Sequence, residues 1–351
     1  MLEGVVVRTP LIEAPWLDTF GAGGSPRASS HGGAGWGQLG TRNSELGTRI
    51  RLKCENFQRA GAFKIRGAFT MLARLPEDQR RRGVITYSSG NHAQGVALAA
   101  KLFGVPAVVV MPTTVSPVKR AGAARLGAEV VLEGTTSIER QRKAEAISGE
   151  RGLVIVPAFD HPDIIAGQGT VGKEVLEDWP DVEVILVPVG GGGLLSGIAA
   201  WVKRVRPECL VVGVEPEQAD AMTRSRAAGE PVTIDVRPTI ADGLAPVRPG
   251  DLTFAHTQAL VDDIVHVSED AILDATRQLL ARAKLVAEFS GAATTAALLS
   301  GAFRSEGRRC VAIVSGGNID AGRALTLMAV AEPADGPVAS TVPPDITGPT
   351  V

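Results

Sequence analysis

The hydrophobic positions along the chain alternate between short runs of β-branched residues and longer stretches with apolar residues at helical spacing. The runs predict strands at residues 49–54, 83–87, 107–111, 129–132, 153–156, 184–189, 210–215 and 311–314. The stretches predict helices at residues 62–73, 91–103, 116–126, 137–150, 164–178, 194–205, 269–283 and 291–300. This alternation is typical of an α/β fold with mostly parallel sheets covered by helices.

Two segments do not share this pattern. Residues 21–41 are rich in glycine and serine and contain few large apolar side chains, which predicts a flexible surface insertion. Residues 331–351 are rich in proline and show no helical period, which predicts a disordered tail.

Composition excludes several classes of function. The net charge is -2, the lysines and arginines are scattered, and only 4% of residues are aromatic, so no nucleic-acid groove is predicted. Cys54, Cys209 and Cys310 lie far apart without a CxxC pair, so neither a disulfide framework nor a zinc site is indicated.

An uncharged stretch at residues 184–202 is close to the length of a membrane-spanning helix. It contains Pro188 and four consecutive glycines, which would break a helix and leave backbone groups unsatisfied in lipid. The first residues lack the basic and apolar segments of a signal peptide. We therefore expect a cytoplasmic protein without a membrane span.

A run of four glycines, residues 190–193, follows a predicted buried strand and precedes a predicted apolar helix. Glycines let the backbone approach a ligand, and the helix start offers free N–H groups, so the run predicts a phosphate site. A dinucleotide is disfavoured because Leu195 or Ser196 stands where the third glycine of GxGxxG is needed, and no Walker pattern follows. A plain tight turn is the structural alternative.

A lysine lies among small and apolar residues at residues 61–68, which read GAFKIRGA. At the start of a helix, Lys64 can be partly desolvated, and its pKa is then lowered as Schiff-base chemistry requires. The alternative for a single helix lysine is a solvated surface residue.

Two further loops follow predicted strands: residues 87–95 read YSSGNHAQG and residues 315–318 read SGGN. The first loop combines hydroxyls, an amide and helix-start N–H groups, which suits an anion, although a well-capped helix start would look similar. Because ligands of open α/β sheets bind at the carboxyl ends of strands, these loops and the glycine run are expected at one edge.

These four motifs, in this order and spacing, resemble the fold type II enzymes that depend on pyridoxal 5'-phosphate (PLP), a tryptophan synthase β-like fold. The threonine/serine dehydratase and serine racemase branch is the most similar, over residues 8–327. The resemblance implies two open, mostly parallel sheets with helices on both faces. It also implies a large PLP-binding domain (1–76 and 161–330), a small inserted domain (77–160), a cleft between them, and a homodimer.

The resemblance implies a role for each motif residue. Lys64 forms the Schiff base with PLP and then removes the Cα proton of the substrate. The cofactor contacts are Phe63 beside the ring, Asn91 on the ring hydroxyl, Gly190, Gly191, Gly192, Gly193 and Leu194 around the phosphate, Gly243 near the ring, Glu288 near the substrate or the ring edge, and Ser315 on the ring nitrogen. The substrate carboxylate is assigned to Ser88, Ser89, Asn91 and His92.

The implied function is an L-threonine/L-serine ammonia-lyase that forms a 2-oxo acid and ammonia from a small β-hydroxy amino acid. Ser89 stands where the racemases keep a serine on the face opposite Lys64, so a serine or related racemase is an alternative, as is a hydroxyaspartate-type ammonia-lyase. A non-catalytic PLP-fold binding protein is the alternative from another class, which the presence of Lys64 and the glycine run disfavours.

A divalent cation, Mg²⁺ or Ca²⁺, is held in the racemase-like branch by a glutamate, a backbone carbonyl and an aspartate. Glu215 and Ala219 match the first two positions, but Ala221 stands at the third, with Asp220 one residue early. Such cations prefer several oxygen ligands. The sequence therefore supports this metal only in part, and Glu215 can equally be a strand-end carboxylate without a special role.

Overall fold

The computed structural model describes residues 2–21, 49–88, 90–115, 117–235 and 237–329. Within these ranges ten strands form two sheets. The strands are β1 (Leu11–Glu13), β2 (Ile50–Cys54), β3 (Val84–Thr86), β4 (Ala107–Met111), β5 (Glu129–Leu132), β6 (Val154–Ile155), β7 (Val184–Pro188), β8 (Leu210–Pro216), β9 (Asp263–Val267) and β10 (Cys310–Val314).

The helices alternate with these strands along most of the chain. They are α1 (Pro15–Gly21), α2 (Lys64–Arg74), α3 (Glu77–Arg82), α4 (Asn91–Phe103), α5 (Pro117–Arg125), α6 (Ser137–Arg151), α7 (Pro162–Asp178), α8 (Gly193–Val205), α9 (Ala221–Ala228), α10 (Asp251–Leu260), α11 (Glu269–Ala283), α12 (Phe289–Ser300) and α13 (Ala321–Ala329). Short 3₁₀ helices occupy Glu55–Phe57, Arg59–Gly61 and Asp242–Leu244.

The larger sheet has the strand order β1-β2-β10-β7-β8-β9, and the smaller one has the order β5-β4-β3-β6. Every pairing is parallel except that of β1 with β2. This topology confirms the predicted α/β class with two open, mostly parallel sheets. Parallel strands end at a common edge, so the loops after β2, β7, β8 and β10 open on the same side of the larger sheet.

The helix α8 begins at that edge because it follows β7 directly, and its backbone packs closely against α7. A Cβ atom on Gly197 would lie 2.3 Å from the carbonyl oxygen of Ile165, and one on Gly169 would lie 2.8 Å from that of Gly197. Only glycines permit this backbone approach. The five residues of β7 are all buried, and apolar residues of β7, α7 and α8 share one hydrophobic core, so the start of α8 lies packed over the sheet.

The described residues up to Ile319 form one compact unit, and those from Asp320 belong to a second. The whole smaller sheet comes from residues between Val84 and Ile155. The division into a large domain and a small inserted domain remains a prediction. The predicted insertion lies outside the described residues beyond Gly21, as does the predicted tail.

Two strands and several helices were not predicted from the pattern. β1 has only three residues, and it forms by antiparallel pairing with β2. α3 reads EDQRRR and buries no residue, so it has no apolar stripe to detect. α2 begins at Lys64 rather than at residue 62, because Gly61 has a φ of +71° and Ala62 is extended.

Candidate active site

The glycine run forms a tight turn between β7 and α8. Gly192 has a φ of +93°, and α8 begins at the next residue, so the first N–H groups of the helix face the turn. A Cβ atom on Gly191 would lie 2.2 Å from the ring of Phe159, and one on Gly190 would lie 3.1 Å from Cα of Leu244. Side chains are therefore excluded from a concave loop of backbone amides, which fits a phosphate group.

Two neighbouring elements hold this loop. The hydroxyl of Thr253 donates to the carbonyl oxygen of Gly191 at 2.7 Å. Gly243 borders Gly190, and its N–H donates to the hydroxyl of Ser290 at 2.9 Å. Gly190, expected at the phosphate, and Gly243, expected near the ring, thus lie next to each other, and Gly243 is exposed.

Lys64 is the first residue of α2, and its side chain is partly buried. Its amine donates to the carbonyl oxygen of Ala158 at 2.9 Å and lies 5.1 Å from the centre of the Phe63 ring. Burial lowers the pKa of Lys64 to about 8, although the charge of Glu288 opposes the shift. A much larger fraction of this amine is neutral at neutral pH than of an exposed lysine.

Asn91 and Glu288 form a pair beside this lysine. Asn91 begins α4, Glu288 directly precedes α12, and the Asn91 amide nitrogen donates to Glu288 Oε1 at 2.5 Å. Burial raises the pKa of Glu288 to about 7, although the hydrogen bond from Asn91 lowers it. A Cβ atom on Gly316 would lie 2.4 Å from Glu288 Oε1, so the pair packs against the loop after β10.

The loop after β10 also contacts the segment before Lys64. Ser315 is buried, and its carbonyl oxygen accepts a hydrogen bond from the N–H of Phe63 at 3.2 Å. Ala62 and Gly316 form an isolated antiparallel bridge. The lysine motif and the SGGN motif, distant in sequence, are therefore joined directly through their backbones.

His92 is buried, and its Nε2 lies 3.0 Å from the carbonyl oxygen of Val156. Burial lowers its pKa to about 3, and the charge of Lys64 adds to the shift. The imidazole is therefore neutral near neutral pH. The Ser88 hydroxyl accepts a hydrogen bond from the N–H of Gly90 at 3.4 Å, while Ser89 lies outside the described residues.

Residues 158 and 159 connect the two halves of the site. The carbonyl oxygen of Ala158 holds the amine of Lys64, and the ring of Phe159 packs on Gly191. A partly buried amine thus lies near a cradle for a phosphate, with the buried hydroxyl of Ser315 on the neighbouring loop. This set of groups fits PLP, which needs a nucleophilic amine, a phosphate site and a partner for its ring nitrogen.

Sequence reasoning assigned no role to Ala158, Phe159 or Asn318. Ala158 acts through its backbone carbonyl oxygen, and such an acceptor leaves no signature in residue type. Asn318 had a signal that could have been used, because a polar residue follows glycines at a strand end. Its side-chain amide donates to Asn91 Oδ1 at 2.8 Å.

Glu215, the first residue considered for a cation, is buried at the end of β8. Its carboxylate accepts hydrogen bonds from the N–H groups of Met222 and Thr223 and from the Thr223 hydroxyl at 2.7–3.0 Å. Burial nevertheless raises its pKa to about 7. Ala219 contributes a hydrogen bond from its N–H to Pro216. The described ranges contain no group of three or more His, Cys, Asp or Glu side chains placed to hold a metal.

Among the described residues, no helix has both the length and the apolar character needed to cross a membrane. Residues 184–202 instead form β7, the glycine turn and most of α8, as the sequence predicted.

Comparison with known proteins gives consistent results. The family model described as "Pyridoxal-phosphate dependent enzyme" matches residues 38–316. The chain is 47% identical over 274 residues to an L-threonine ammonia-lyase of Thermotoga maritima, covering 78% of this chain and 68% of that protein. It is 41% identical over 288 residues to an L-threo-3-hydroxyaspartate ammonia-lyase of a Pseudomonas species, covering 82% of this chain and 90% of that protein. The structure of maize serine racemase superposes with a TM-score of 0.82 at 35% identity, covering 93% of each chain.

Proposed function

The chain belongs to the pyridoxal-phosphate dependent enzyme family, and we propose that it is an ammonia-lyase acting on L-threonine and L-serine. The products are a 2-oxo acid and ammonia. The observation that carries the proposal is the amine of Lys64, whose pKa burial lowers to about 8, near a phosphate cradle. The similarity to the Thermotoga maritima enzyme supports the same activity.

The described residues would hold PLP by three kinds of contact. Lys64 would bind it covalently, the backbone of residues 190–194 would take its phosphate, and Ser315 would face its ring nitrogen. The bound cofactor supplies an electron sink for the electrons released at Cα of an amino acid. The neutral amine of Lys64 would accept the Cα proton, which requires a pKa near the working pH.

Ser315 offers a neutral hydroxyl and no carboxylate to the ring nitrogen. It therefore supplies no negative charge that would keep this nitrogen protonated. A cofactor held in this way would favour loss of the β-hydroxyl, as an elimination requires. The substrate carboxylate would lie at the start of α4, where the first N–H groups of the helix can bind an anion.

The first test is release of 2-oxo acid from L-threonine and L-serine by the PLP-loaded protein, with and without Mg²⁺. The visible absorbance band of the lysine-bound cofactor, bleached by borohydride, verifies loading. Prompt release from either substrate supports the proposal, and the ratio of the two rates describes the side-chain pocket. A loaded protein that releases no oxo acid from either would overturn it.

L-threo-3-hydroxyaspartate belongs in the same assay, because a relative that is 41% identical acts on it. A rate with this substrate far above that with L-threonine would keep the ammonia-lyase reaction and replace the substrate.

Racemisation is the second candidate activity. It is favoured by Ser89, which stands where the resemblance places an acid or base opposite Lys64, and by the similarity to maize serine racemase. We expect Ser89→Ala to remove D-serine formation and to leave most oxo-acid formation intact, as measured by chiral chromatography. A parallel loss of both activities would contradict this role.

The finer organisation of the protein is also part of the proposal. We propose a homodimer located in the cytoplasm, in which residues 77–160 form the small inserted domain, as the resemblance implies. The confinement of the smaller sheet to residues 84–155 supports the domain division. Light scattering of the purified protein tests the dimer.

A further inference from the structure

Asn318, in the loop after β10, contacts the segment before Lys64 and the start of α4. Its side-chain nitrogen donates to the carbonyl oxygen of Ala60 and to Asn91 Oδ1, each at 2.8 Å. Asn91 in turn donates to Glu288 Oε1 at 2.5 Å. The two amides of Asn318 and Asn91 thus link the loop before Lys64, the start of α4 and the carboxylate next to α12.

The loop before Lys64 is shaped to accept this amide. Ala60 and Gly61 have φ values of +60° and +71°, and a Cβ atom on Gly61 would lie 2.2 Å from Asn318 Oδ1. The N–H of Gly317 donates to the carbonyl oxygen of Gly61 at 2.9 Å. Asn318 therefore lies in a close-fitting position that Gly61 leaves open.

The hydrogen-bond pattern fixes the orientation of the Asn91 amide. A side-chain amide has two N–H donors on one end and an acceptor oxygen on the other. Asn318 uses both donors, so the end of Asn91 that faces it must be the oxygen. If the Asn91 amide were rotated by half a turn, its N–H groups would face the N–H groups of Asn318. Its oxygen would then face the carboxyl oxygen of Glu288.

This orientation has a consequence for the cofactor. Asn91 gives one N–H to Glu288 and retains a second N–H on the same end of its amide. A donor is what the ring hydroxyl of PLP needs when that oxygen is negatively charged. With the opposite orientation, Asn91 would present an oxygen to it.

We propose that Asn318 is a positioning residue that sets the donor and acceptor ends of the Asn91 amide, and so directs an N–H group to the ring oxygen of the cofactor. Asn318 acts through Asn91 and does not itself touch the ring. The inference rests on the proposed function for the identity of the cofactor, but it does not depend on which amino acid is the substrate.

Asn318→Asp tests the proposal because it keeps the shape and replaces the donor by an acceptor. The carboxylate at this position repels Asn91 Oδ1, so the Asn91 amide turns and its N–H leaves the ring oxygen. We expect the dissociation constant of PLP to rise about tenfold, the usual effect of one lost hydrogen bond. The visible band of the bound cofactor should titrate at a higher pH, because the anionic ring oxygen loses its donor.

Two comparisons separate this role from a general effect on the loop. Asn56→Asp introduces the same charge on a residue that also packs on Gly317, and it should leave the affinity and the band unchanged. In an Asn91→Ala background, Asn318→Asp should change the affinity by less than about twofold, because a residue that acts through Asn91 has nothing left to orient.

A wild-type band and affinity in Asn318→Asp would overturn the proposal. So would a full effect that persists in the Asn91→Ala background, since it would show that Asn318 acts through Ala60 and the lysine loop. If Asn318→Asp does not fold, Asn318→Ala replaces it in the test. We expect the band of this variant to shift in the same direction by a smaller amount, and an unchanged band would overturn the proposal. Because affinity and absorbance are measured without substrate, a missing oxo-acid release in the wild type would count against the proposed function alone.

Discussion

Two cationic side chains on the first turn of α2, Lys64 and Arg66, have opposite electrostatic environments although they are two residues apart. Arg66 is fully buried and bonds Glu55 and Glu174 at 2.7 Å each. The amine of Lys64 instead bonds the neutral carbonyl oxygen of Ala158. Burial disfavours the charged form of both side chains. Attraction to the two carboxylates outweighs burial at Arg66 and raises its pKa. At Lys64 burial is the larger effect, and it lowers the pKa.

The surroundings of Arg66 explain why its charge is permanent. Lys53, also fully buried, bonds Glu174 at 2.7 Å, and the hydroxyl of Thr9 donates to Glu55 at 2.5 Å. These side chains connect β2, α2 and α7. Every buried charge in this cluster has a partner of opposite sign, so the cluster is suited to fixing positions and unsuited to proton transfer.

The comparison shows that the type of partner separates a reactive buried cation from a structural one. Near Lys64 the available carboxylate, Glu288, is bonded to the neutral amide of Asn91, and burial raises its own pKa to about 7. Among the residues that the structure describes, the lysine therefore has no tightly bound counter-ion. A group in that state can lose and regain a proton at a physiological pH.

The largest expected effect comes from Lys64→Ala. We expect turnover of L-threonine to fall by about 10⁴-fold or more, because one residue supplies both the covalent attachment and the base. The free energy of unfolding of the apoprotein should not fall with it, since the variant removes a poorly paired buried amine. Oxo-acid assays and urea unfolding measure the two quantities, and retained turnover would mean that the base is assigned wrongly.

Arg66→Met should show the opposite profile. Removing this guanidinium leaves Glu55 and Glu174 without their shared partner, so we expect a loss of about 3–5 kcal/mol in unfolding free energy. Arg8→Met is the matched control: Arg8 also bonds two carboxylates, Glu177 and Asp178, but it is half exposed, and its loss should cost about 0–1 kcal/mol. Equal costs for the two variants would contradict the structural role of the Arg66 cluster.

The smallest effect concerns His92 and appears only in acid. The unfolded chain takes up a proton near the usual histidine pKa of about 6.5, whereas folded His92 stays neutral down to about 3. The unfolded state therefore binds more protons in this window, and stability falls as the pH is lowered through it. Relative to His92→Gln, the wild type should lose about 2 kcal/mol between pH 6.5 and 4.5 in urea unfolding. Parallel stability curves would show that His92 is solvated.

Much of the fold could be predicted because its elements carry local signals. The strands β4 and β5 and the helices α4 and α11 begin and end at the predicted residues. Each has a β-branched run or an apolar stripe bounded by turn residues. β1 and α3 were missed because pairing with β2 forms the first, and nothing apolar marks the second.

The sequence alone determined the α/β class, the glycine turn before α8 and the candidacy of Lys64, because residue type and spacing within a few positions govern all three. Only the tertiary structure decided that Ala158 holds the lysine amine, that Arg66 is neutralised by Glu55 and Glu174, and that Asn318 orients Asn91. These contacts join residues that are 11 to 227 positions apart. Hydrogen bonds and charges act over a few ångströms in space, so the folded chain, and not the order of its residues, selects which buried cation is free to react.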